Sequence, residues 1–230
     1  MNICGIEKIS LVDYDGLVAT TLFCGGCDFA CPFCHNGGLV KNNQQNIPLD
    51  EVLQYLKERK KVLDAIVVSG GEPTLQPDLI DFLTKLKDFG LKIKLDTNGN
   101  HYDTLKYIVN NKLVDYVAMD VKNDLINYPK TINKPNFDTT NIQKSINLLK
   151  LDYVDYEFRT TIVKEFHTLD SITNMSQLLA NAKRHFLQKF KPSDNCLQQG
   201  LNPVEYDQAL AFKDILSKTV SQVKLRGYDD

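Results

Sequence analysis

The sequence lacks the segments that would place a protein in or across a membrane. No uninterrupted apolar run approaches the roughly 20 residues that a helix needs to span a bilayer. Residues 1–8 contain neither the basic region nor the apolar core of a signal peptide. We therefore expect a cytoplasmic protein.

The sequence also lacks an excess of charge of either sign. Its 230 residues include 27 Lys and Arg against 29 Asp and Glu, and no basic run is long enough to follow a nucleic-acid backbone. Nucleic acid is therefore not an expected partner. The apolar fraction of 43% is close to that of ordinary globular proteins, and the length is sufficient for one large core. We expect a single domain over residues 1–230.

Thiols, in contrast, are concentrated in one short stretch. Four of the six cysteines lie in the segment CGGCDFACPFC at residues 24–34. In a reducing compartment, clustered cysteines are metal ligands or catalytic thiols more often than disulfide partners. Cys24 is expected to be a small buried residue or a neighbour of the thiol site. Cys4 and Cys196 are isolated in the sequence, and we expect them to be packing residues.

Short apolar runs alternate with amphipathic stretches along the chain. The runs predict strands near residues 17–23, 64–69, 91–96, 116–121, 156–163, 184–190 and 223–225. The amphipathic stretches predict helices near residues 50–60, 77–89, 102–110, 141–149 and 169–180. A last helix is predicted to have Asn202 as its N-cap and Pro203 as its first residue. Strands that alternate with helices indicate an α/β fold with a parallel sheet.

Unusual polar segments follow four successive predicted strands. They are the cysteine segment at 24–34, GGEP at 70–73, DTNG at 96–99 and DVK at 120–122. The carboxyl ends of parallel strands converge on one site both in an open doubly wound sheet and in a barrel. Because the thiol cluster is one of four such segments at successive strand ends, a single concave site in a barrel-like arrangement is favoured.

The spacing of Cys27, Cys31 and Cys34 argues against a structural zinc site. Such a site requires two Cys-x-x-Cys turns separated by about a dozen residues or more, and only three residues separate Cys27 from Cys31. A [4Fe–4S] cluster accepts ligands this close together, since each iron takes one thiolate. Three cysteines leave one iron without a protein ligand, and an open position can bind a substrate.

The spacing Cys-x-x-x-Cys-x-aromatic-Cys, with Phe33 in the aromatic position, resembles the signature of the radical S-adenosylmethionine (SAM) superfamily. The segment SGGEP at 69–73 resembles the glycine-glycine-glutamate motif of the same superfamily. The resemblance implies a partial (β/α)6 TIM-like barrel, with a [4Fe–4S] cluster held by Cys27, Cys31 and Cys34 and SAM bound to the open iron. One-electron reduction would then cleave SAM into methionine and a 5′-deoxyadenosyl radical.

Two further motifs resemble one branch of that superfamily, the activating enzymes of glycyl radical enzymes. They are His35-Asn36 after the last cysteine and DTNG at 96–99. The chain length, residues 8–14 and LRG at 225–227 are most similar to the activating proteins of anaerobic ribonucleoside-triphosphate reductase. The resemblance implies a glycyl radical enzyme as partner, with that reductase favoured, and a flavodoxin-like electron donor.

The resemblance also implies contacts with SAM. Gly70 and Gly71 let the backbone approach a ligand closely, and with Glu72 they would meet the SAM ammonium group. His35 would donate a hydrogen bond to the cluster or to SAM. The remaining residues expected around the two cofactors are Phe33, Asn36 and Asn98.

A charged set at the strand ends is implied to surround the SAM carboxylate. The residues that would hold a monovalent cation beside it are Asp96, Thr97 and Asp120. Lys122 would contact SAM, and Arg159 would pair with the SAM carboxylate through its planar guanidinium group. Alternatively, Arg159 forms a structural ion pair with Glu157 or Asp155.

Other functions are compatible with the same motifs. The partner could be pyruvate formate-lyase or another glycyl radical enzyme, because no residue selects between partners. A small-molecule radical SAM enzyme such as a deazapurine synthase would share the fold, although His35-Asn36 argues against it. Outside catalysis, the cysteines could form an iron–sulfur electron carrier or a zinc-stabilised binding module.

Overall fold

One eight-stranded sheet is the centre of the structure, a computed structural model that describes residues 1–40 and 44–228. Its strands are β1 (Ile3–Ser10), β2 (Ala19–Cys24), β3 (Ala65–Gly70), β4 (Lys92–Thr97), β5 (Tyr116–Asp120), β6 (Asp155–Ile162), β7 (Arg184–Lys189) and β8 (Gln222–Arg226). The spatial order of the strands is the order of the chain. The first strand pairs antiparallel with the second, and every later pair is parallel.

Helices connect the parallel strands. They are α1 (Gly37–Val40), α2 (Leu49–Arg59), α3 (Leu79–Lys87), α4 (Tyr102–Asn110), α5 (Tyr128–Thr131), α6 (Thr140–Lys150), α7 (Leu169–Leu178) and α8 (Tyr206–Leu216). Right-handed crossovers between strands in chain order place all the helices on one face, so the sheet curls towards a barrel. The predicted α/β fold with a parallel sheet is confirmed. Among the described residues, no helix combines the length and apolar character needed to cross a membrane.

The two faces of the sheet have different chemistry. Leu22, Val68 and Leu95 are fully buried in the apolar core between the sheet and the helices. Successive residues of a strand point to opposite faces, so Lys94 and Asp96 share the other face, inside the barrel. The barrel interior is therefore partly ionic, and the functional residues project into it from the strands.

One strand was missed, and one predicted helix start was wrong. Strand β1 was not predicted, although it covers the edge of β2 over most of its length. The last helix begins at Tyr206, with Glu205 as N-cap, rather than at Pro203. Tertiary contacts remove the earlier residues from the helix, because Pro203 forms a β-bridge with Val163 and Asn202 Nδ2 donates to the Glu165 carboxylate at 2.8 Å.

A buried histidine between the sheet and the helices makes stability depend on pH. His185, on β7, is fully buried, and its Nε2 lies 2.9 Å from Thr160 Oγ1. Burial, together with the nearby His167, lowers the pKa of His185 to about 3. The unfolded chain regains a pKa of about 6.5. Below that pH the unfolded state binds a proton that the folded state does not, so stability falls as the pH decreases from 6.5 towards 3.

We expect His185→Gln to reduce this acid sensitivity. Glutamine can keep a hydrogen bond to Thr160 but does not titrate, so the slope of unfolding free energy against pH between 6 and 4 should decrease by up to about 1.4 kcal/mol per pH unit. Urea unfolding at a series of pH values measures the slope. Lys183→Gln, an exposed change beside the same strand, should leave the slope unaltered. Equal slopes for His185→Gln and the unmodified protein would contradict the assignment.

Candidate active site

A cavity of about 340 Å³ lies at the carboxyl ends of the parallel strands, and all the predicted site residues line it. These residues are Cys27, Cys31, Phe33, Cys34, His35, Asn36, Gly70, Gly71, Glu72, Asp96, Thr97, Asn98, Asp120, Lys122 and Arg159. The wall also includes Thr161, Gln188 and Lys189, which were not predicted. They lie at the ends of β6 and β7, and the rule that polar residues at strand ends face the site could have identified them.

The three cysteines of the motif lie on the loop after β2, and all are free thiols. Cys31 is buried, whereas Cys27 and Cys34 are partly exposed. The amide of Cys34 donates to the carbonyl of Cys31 at 3.0 Å, which forms a tight turn between the last two thiols. Burial raises the pKa of Cys27 and of Cys31 to about 12. A metal that binds these thiols must therefore displace a proton from each.

The thiols do not form a site for a single ion. Within residues 1–40 and 44–228, no three His, Cys, Asp or Glu side chains converge closely enough to hold one metal ion. A cubane cluster does not require that convergence, because each thiolate binds a different iron. The arrangement is thus compatible with a multi-metal cluster and does not match a tetrahedral zinc site.

The glycine pair at the end of β3 packs directly on the start of the cysteine loop. The amide of Gly71 donates to the carbonyl of Cys24 at 2.8 Å. Gly70 has a φ of 116°, and a Cβ there would lie 2.3 Å from the amide nitrogen of Cys24. A Cβ on Gly71 would lie 2.0 Å from the carbonyl oxygen of Gly26. Only glycine fits at either position, so the two loops are in direct backbone contact.

Glu72 joins the loops that follow β3 and β4. Its side chain is fully buried and accepts hydrogen bonds from Thr97 Oγ1 at 2.7 Å and from the amide of Asn98 at 2.6 Å. The amide and hydroxyl of Thr74 donate to the same carboxyl group. Burial raises the pKa of Glu72, and these hydrogen bonds oppose that shift. The contact therefore fixes the DTNG segment against the glycine pair.

Asp28 joins the cysteine loop to the DTNG segment and was not predicted. Its carboxylate accepts hydrogen bonds from Asn98 Nδ2 at 2.8 Å and Asn100 Nδ2 at 2.6 Å, and it lies 3.3 Å from His101 Nε2. Burial would raise the pKa of Asp28, but its interactions with His101, Asn100 and Asn98 outweigh it and lower the pKa. Asp28 directly follows Cys27 inside the cysteine motif, at a position where the motif specifies no residue type.

Two carboxylates and two cationic groups form a linked set on the cavity wall. Arg159 Nε lies 2.9 Å from Asp120 Oδ1, and Arg159 Nη1 lies 3.2 Å from Asp96 Oδ2. Lys122 Nζ lies 3.1 Å from Asp120 Oδ2. Burial would raise the pKa of Asp120, but the charges of Arg159 and Lys122 hold it down at about 2. Asp120 therefore remains ionised at neutral pH.

Arg159 forms structural ion pairs, but with other partners than those expected, and its contact with SAM stays a prediction. The alternative of an ion pair with Glu157 or Asp155 was wrong, because Glu157 pairs with Arg226 at 3.0 Å and Asp155 pairs with Arg184. The strand register explains the outcome, because Arg159 lies directly opposite Asp120 of β5 and its side chain reaches across to the neighbouring strands. Its guanidinium group is thereby held at the cavity wall.

The loop after β7 packs against the cysteine loop and was also missed. The amide of Gln198 donates to the carbonyl of Pro32 at 2.9 Å. The sulfur of Cys196 and the hydroxyl of Ser193 lie 3.9 and 3.5 Å from His35 Nδ1. Cys196 is buried, as expected for a packing residue. His35 is exposed at the cavity wall, and its hydrogen bond to a cofactor stays a prediction.

The fold and the cavity together define a class of enzyme. The chain belongs to the Radical SAM superfamily, whose family profile matches residues 21–163. It is therefore a radical SAM enzyme, and membership implies a [4Fe–4S] cluster and SAM as its cofactors.

Proteins of similar sequence indicate which branch of the superfamily the chain resembles. A candidate glycyl-radical enzyme activating enzyme of Methanocaldococcus jannaschii is 33% identical over 197 residues, which cover 84% of this chain and 81% of that protein. A pyruvate formate-lyase-activating enzyme of Clostridium pasteurianum is 34% identical over 127 residues, which cover 53% of this chain and 52% of that protein. The predicted resemblance to activating enzymes is confirmed at this level.

Solved structures share the fold. SuiB of Streptococcus suis bound to S-adenosylmethionine matches with a TM-score of 0.68 at 14% identity, over 88% of this chain and 48% of that chain. A domain of pyruvate-formate lyase-activating enzyme from Bacteroides vulgatus matches with a TM-score of 0.56 at 19% identity, over 70% of this chain and 98% of that chain. The partial barrel of the radical SAM type is thus confirmed as the fold.

Proposed function

We propose that this protein is an activating enzyme that produces a glycyl radical on a partner enzyme, and that the partner is anaerobic ribonucleoside-triphosphate reductase. The observation that carries the proposal is the cavity, which brings together the three thiols, the glycine pair and the charged wall. The activating enzyme of Methanocaldococcus jannaschii, similar over most of its length, supports the activating class. The choice of the reductase rests on the resemblance of residues 8–14 and 225–227.

The residues present fit the two implied cofactors. Cys27, Cys31 and Cys34 are the proposed cluster ligands, because they supply three thiols on one loop and leave one iron open. The backbone of the glycine pair faces the same cavity, where a ligand can approach it without a Cβ in the way. Arg159 and Lys122 offer positive charge to the SAM carboxylate. With both cofactors bound and the cluster reduced, the site would supply a 5′-deoxyadenosyl radical, which is able to remove a hydrogen atom from a glycine Cα.

The chain contributes binding, orientation and exclusion of water rather than proton transfer. A hydrogen-atom abstraction requires no general base, which agrees with the internal hydrogen bonds of Glu72 and the ion pairs of Asp120. Phe33 closes one side of the cavity, where its ring packs 5.8 Å from Phe166 and 6.5 Å from Phe190. The mouth is covered by the glycine loop of the partner when the two proteins dock, which shields the radical. A flavodoxin-like protein supplies the electron.

An electron paramagnetic resonance (EPR) spectrum of the partner tests this function. The iron-reconstituted protein, SAM and a strong reductant are incubated anaerobically with the catalytic subunit of an anaerobic ribonucleotide reductase, and 5′-deoxyadenosine is quantified in the same tube. We expect a glycyl-radical doublet together with deoxyadenosine. The 5′-deoxyadenosyl radical becomes 5′-deoxyadenosine when it takes a hydrogen atom from the partner, and the radical then remains on the glycine.

Parallel tubes separate the candidate partners. Pyruvate formate-lyase replaces the reductase in one tube, since a relative activates that enzyme, and SAM is omitted from the control. A doublet with pyruvate formate-lyase alone would replace the proposed partner. Deoxyadenosine without a doublet in either tube would contradict the activating function while leaving the radical SAM chemistry intact.

A further inference from the structure

We propose that Lys94 is a built-in cation of the SAM site, and that the protein binds SAM without a monovalent metal ion. The inference concerns the radical SAM site alone and does not depend on which partner is activated. It replaces the expected metal ion beside Asp96, Thr97 and Asp120 with positive charges of the chain itself.

Lys94 lies inside the barrel, directly below the cavity. It stands two residues before Asp96 on β4, so both side chains point to the same face. The Lys94 side chain is 6% exposed, and its Nζ lies 3.6 Å from Asp96 Oδ1. The ammonium group also donates to the carbonyl of Asp13 and lies 5.7 Å from the centre of the Tyr116 ring. These contacts from the barrel floor fix the charge beneath the cavity.

The carboxylates that would bind a metal ion already face cationic groups. Asp120 pairs with Arg159 through one oxygen and with Lys122 through the other. Asp96 pairs with Arg159 through Oδ2. Within the described residues, Asp96 Oδ1 is buried and has no hydrogen-bond partner, and the Lys94 ammonium lies 3.6 Å from it. A metal ion on Asp96 Oδ1 would therefore lie beside an ammonium group of the same sign.

Thr97, the third expected ligand of the monovalent cation, has its hydroxyl hydrogen-bonded to other groups of the protein. Thr97 Oγ1 donates to Glu72 at 2.7 Å and accepts a hydrogen bond from the amide of Gly99 at 3.1 Å. Thr97 lines the same cavity as Asp96, but its hydroxyl is already engaged by Glu72 and by the amide of Gly99. The expected ligand set thus does not fit a monovalent cation in this chain.

The balance of charge gives the site its selectivity. Three cationic side chains, Lys94, Lys122 and Arg159, surround the two carboxylates Asp96 and Asp120. These three positive charges beside Asp96 and Asp120 attract the carboxylate of SAM and repel a further cation, and both effects are strong in a largely buried site. Lys94 is a positioning residue. It holds the Asp96 carboxylate, and this carboxylate in turn helps to orient the Arg159 guanidinium group at the cavity wall.

Binding of SAM to the unmodified holoprotein is the first test. The SAM dissociation constant is measured anaerobically, without any partner, in potassium, sodium and tetramethylammonium buffers of equal ionic strength. We expect the three values to agree within about twofold, because the chain supplies the charge itself. An affinity about tenfold or more higher in potassium or sodium would overturn the proposal.

Substitution of Lys94 is the second test. Lys94→Met keeps the length of the side chain and removes its charge, so SAM affinity should decrease by about tenfold and recover in part on addition of potassium. Lys92→Met is the matched control, since Lys92 lies on the same strand but is exposed and paired with Asp115. Iron content and thermal unfolding are recorded for both. A Lys94→Met protein that binds SAM like the unmodified one in every buffer would remove Lys94 from the site, and if this variant does not fold, the first test decides alone.

Discussion

Replacement of any one of Cys27, Cys31 and Cys34 by alanine is expected to abolish SAM cleavage. Each thiol is the ligand of a different iron in the proposed cluster, so a single loss opens a second iron and destabilises the whole cluster. Iron and sulfide per chain should decrease together with the yield of 5′-deoxyadenosine. Both are measured after anaerobic reconstitution, with dithionite as the reductant.

Cys24→Ala is the matched control for these three variants. Cys24 lies only three residues before the motif, but it ends β2 and is fully buried in the apolar core. The alanine variant should therefore retain iron, sulfide and SAM cleavage at a small cost in stability. Full-rate cleavage by any of the three motif variants would remove that cysteine from the ligand set.

Replacement of Gly71 by alanine is expected to have the second largest effect. The new Cβ would lie 2.0 Å from the carbonyl oxygen of Gly26, and neither backbone segment can yield without moving the cysteine loop. We expect a loss of about 3 kcal/mol in the free energy of unfolding, together with reduced cluster loading. Urea unfolding of the protein and its iron content after reconstitution measure the two effects.

Gly5→Ala provides the control for adding a Cβ elsewhere in the sheet. A Cβ at Gly5 would lie 3.6 Å from the Phe23 ring, which is ordinary van der Waals contact. This variant should unfold within about 0.5 kcal/mol of the unmodified protein and load iron normally. If Gly71→Ala behaved in the same way, the close packing of the glycine pair on the cysteine loop would be contradicted.

Much of the site could be predicted because its signals are local in sequence. The spacing of the cysteines and the glycine pair is set within a few residues, and the positions of polar segments after strands follow from alternation of strands and helices. The cavity therefore contains the residues that the motifs indicated. The wall residues of β6 and β7 were missed because their sequence carries no motif.

The ionic contacts of Arg159 could not be predicted because they join distant parts of the chain. Arg159 pairs with Asp96 and Asp120 on other strands, although acidic residues stand closer to it in sequence. In the sequence, Lys94 looks like an ordinary strand residue. Its side chain is buried because the inner face of the sheet is closed, and this closure depends on the whole fold. Strand β1 and the start of α8 were missed for the same reason, since long-range pairing determines both.

The contact between the cysteine loop and the segment after β7 has a consequence for biosynthesis. Cys34 precedes Gln198, which binds Pro32, by 164 residues, so the thiols leave the ribosome well before this part of their surroundings. The hydrogen bond to Pro32 cannot form until Gln198 has been made, so this side of the cysteine loop stays uncovered during most of synthesis. The wall of the metal site is thus completed only after β7 has been translated.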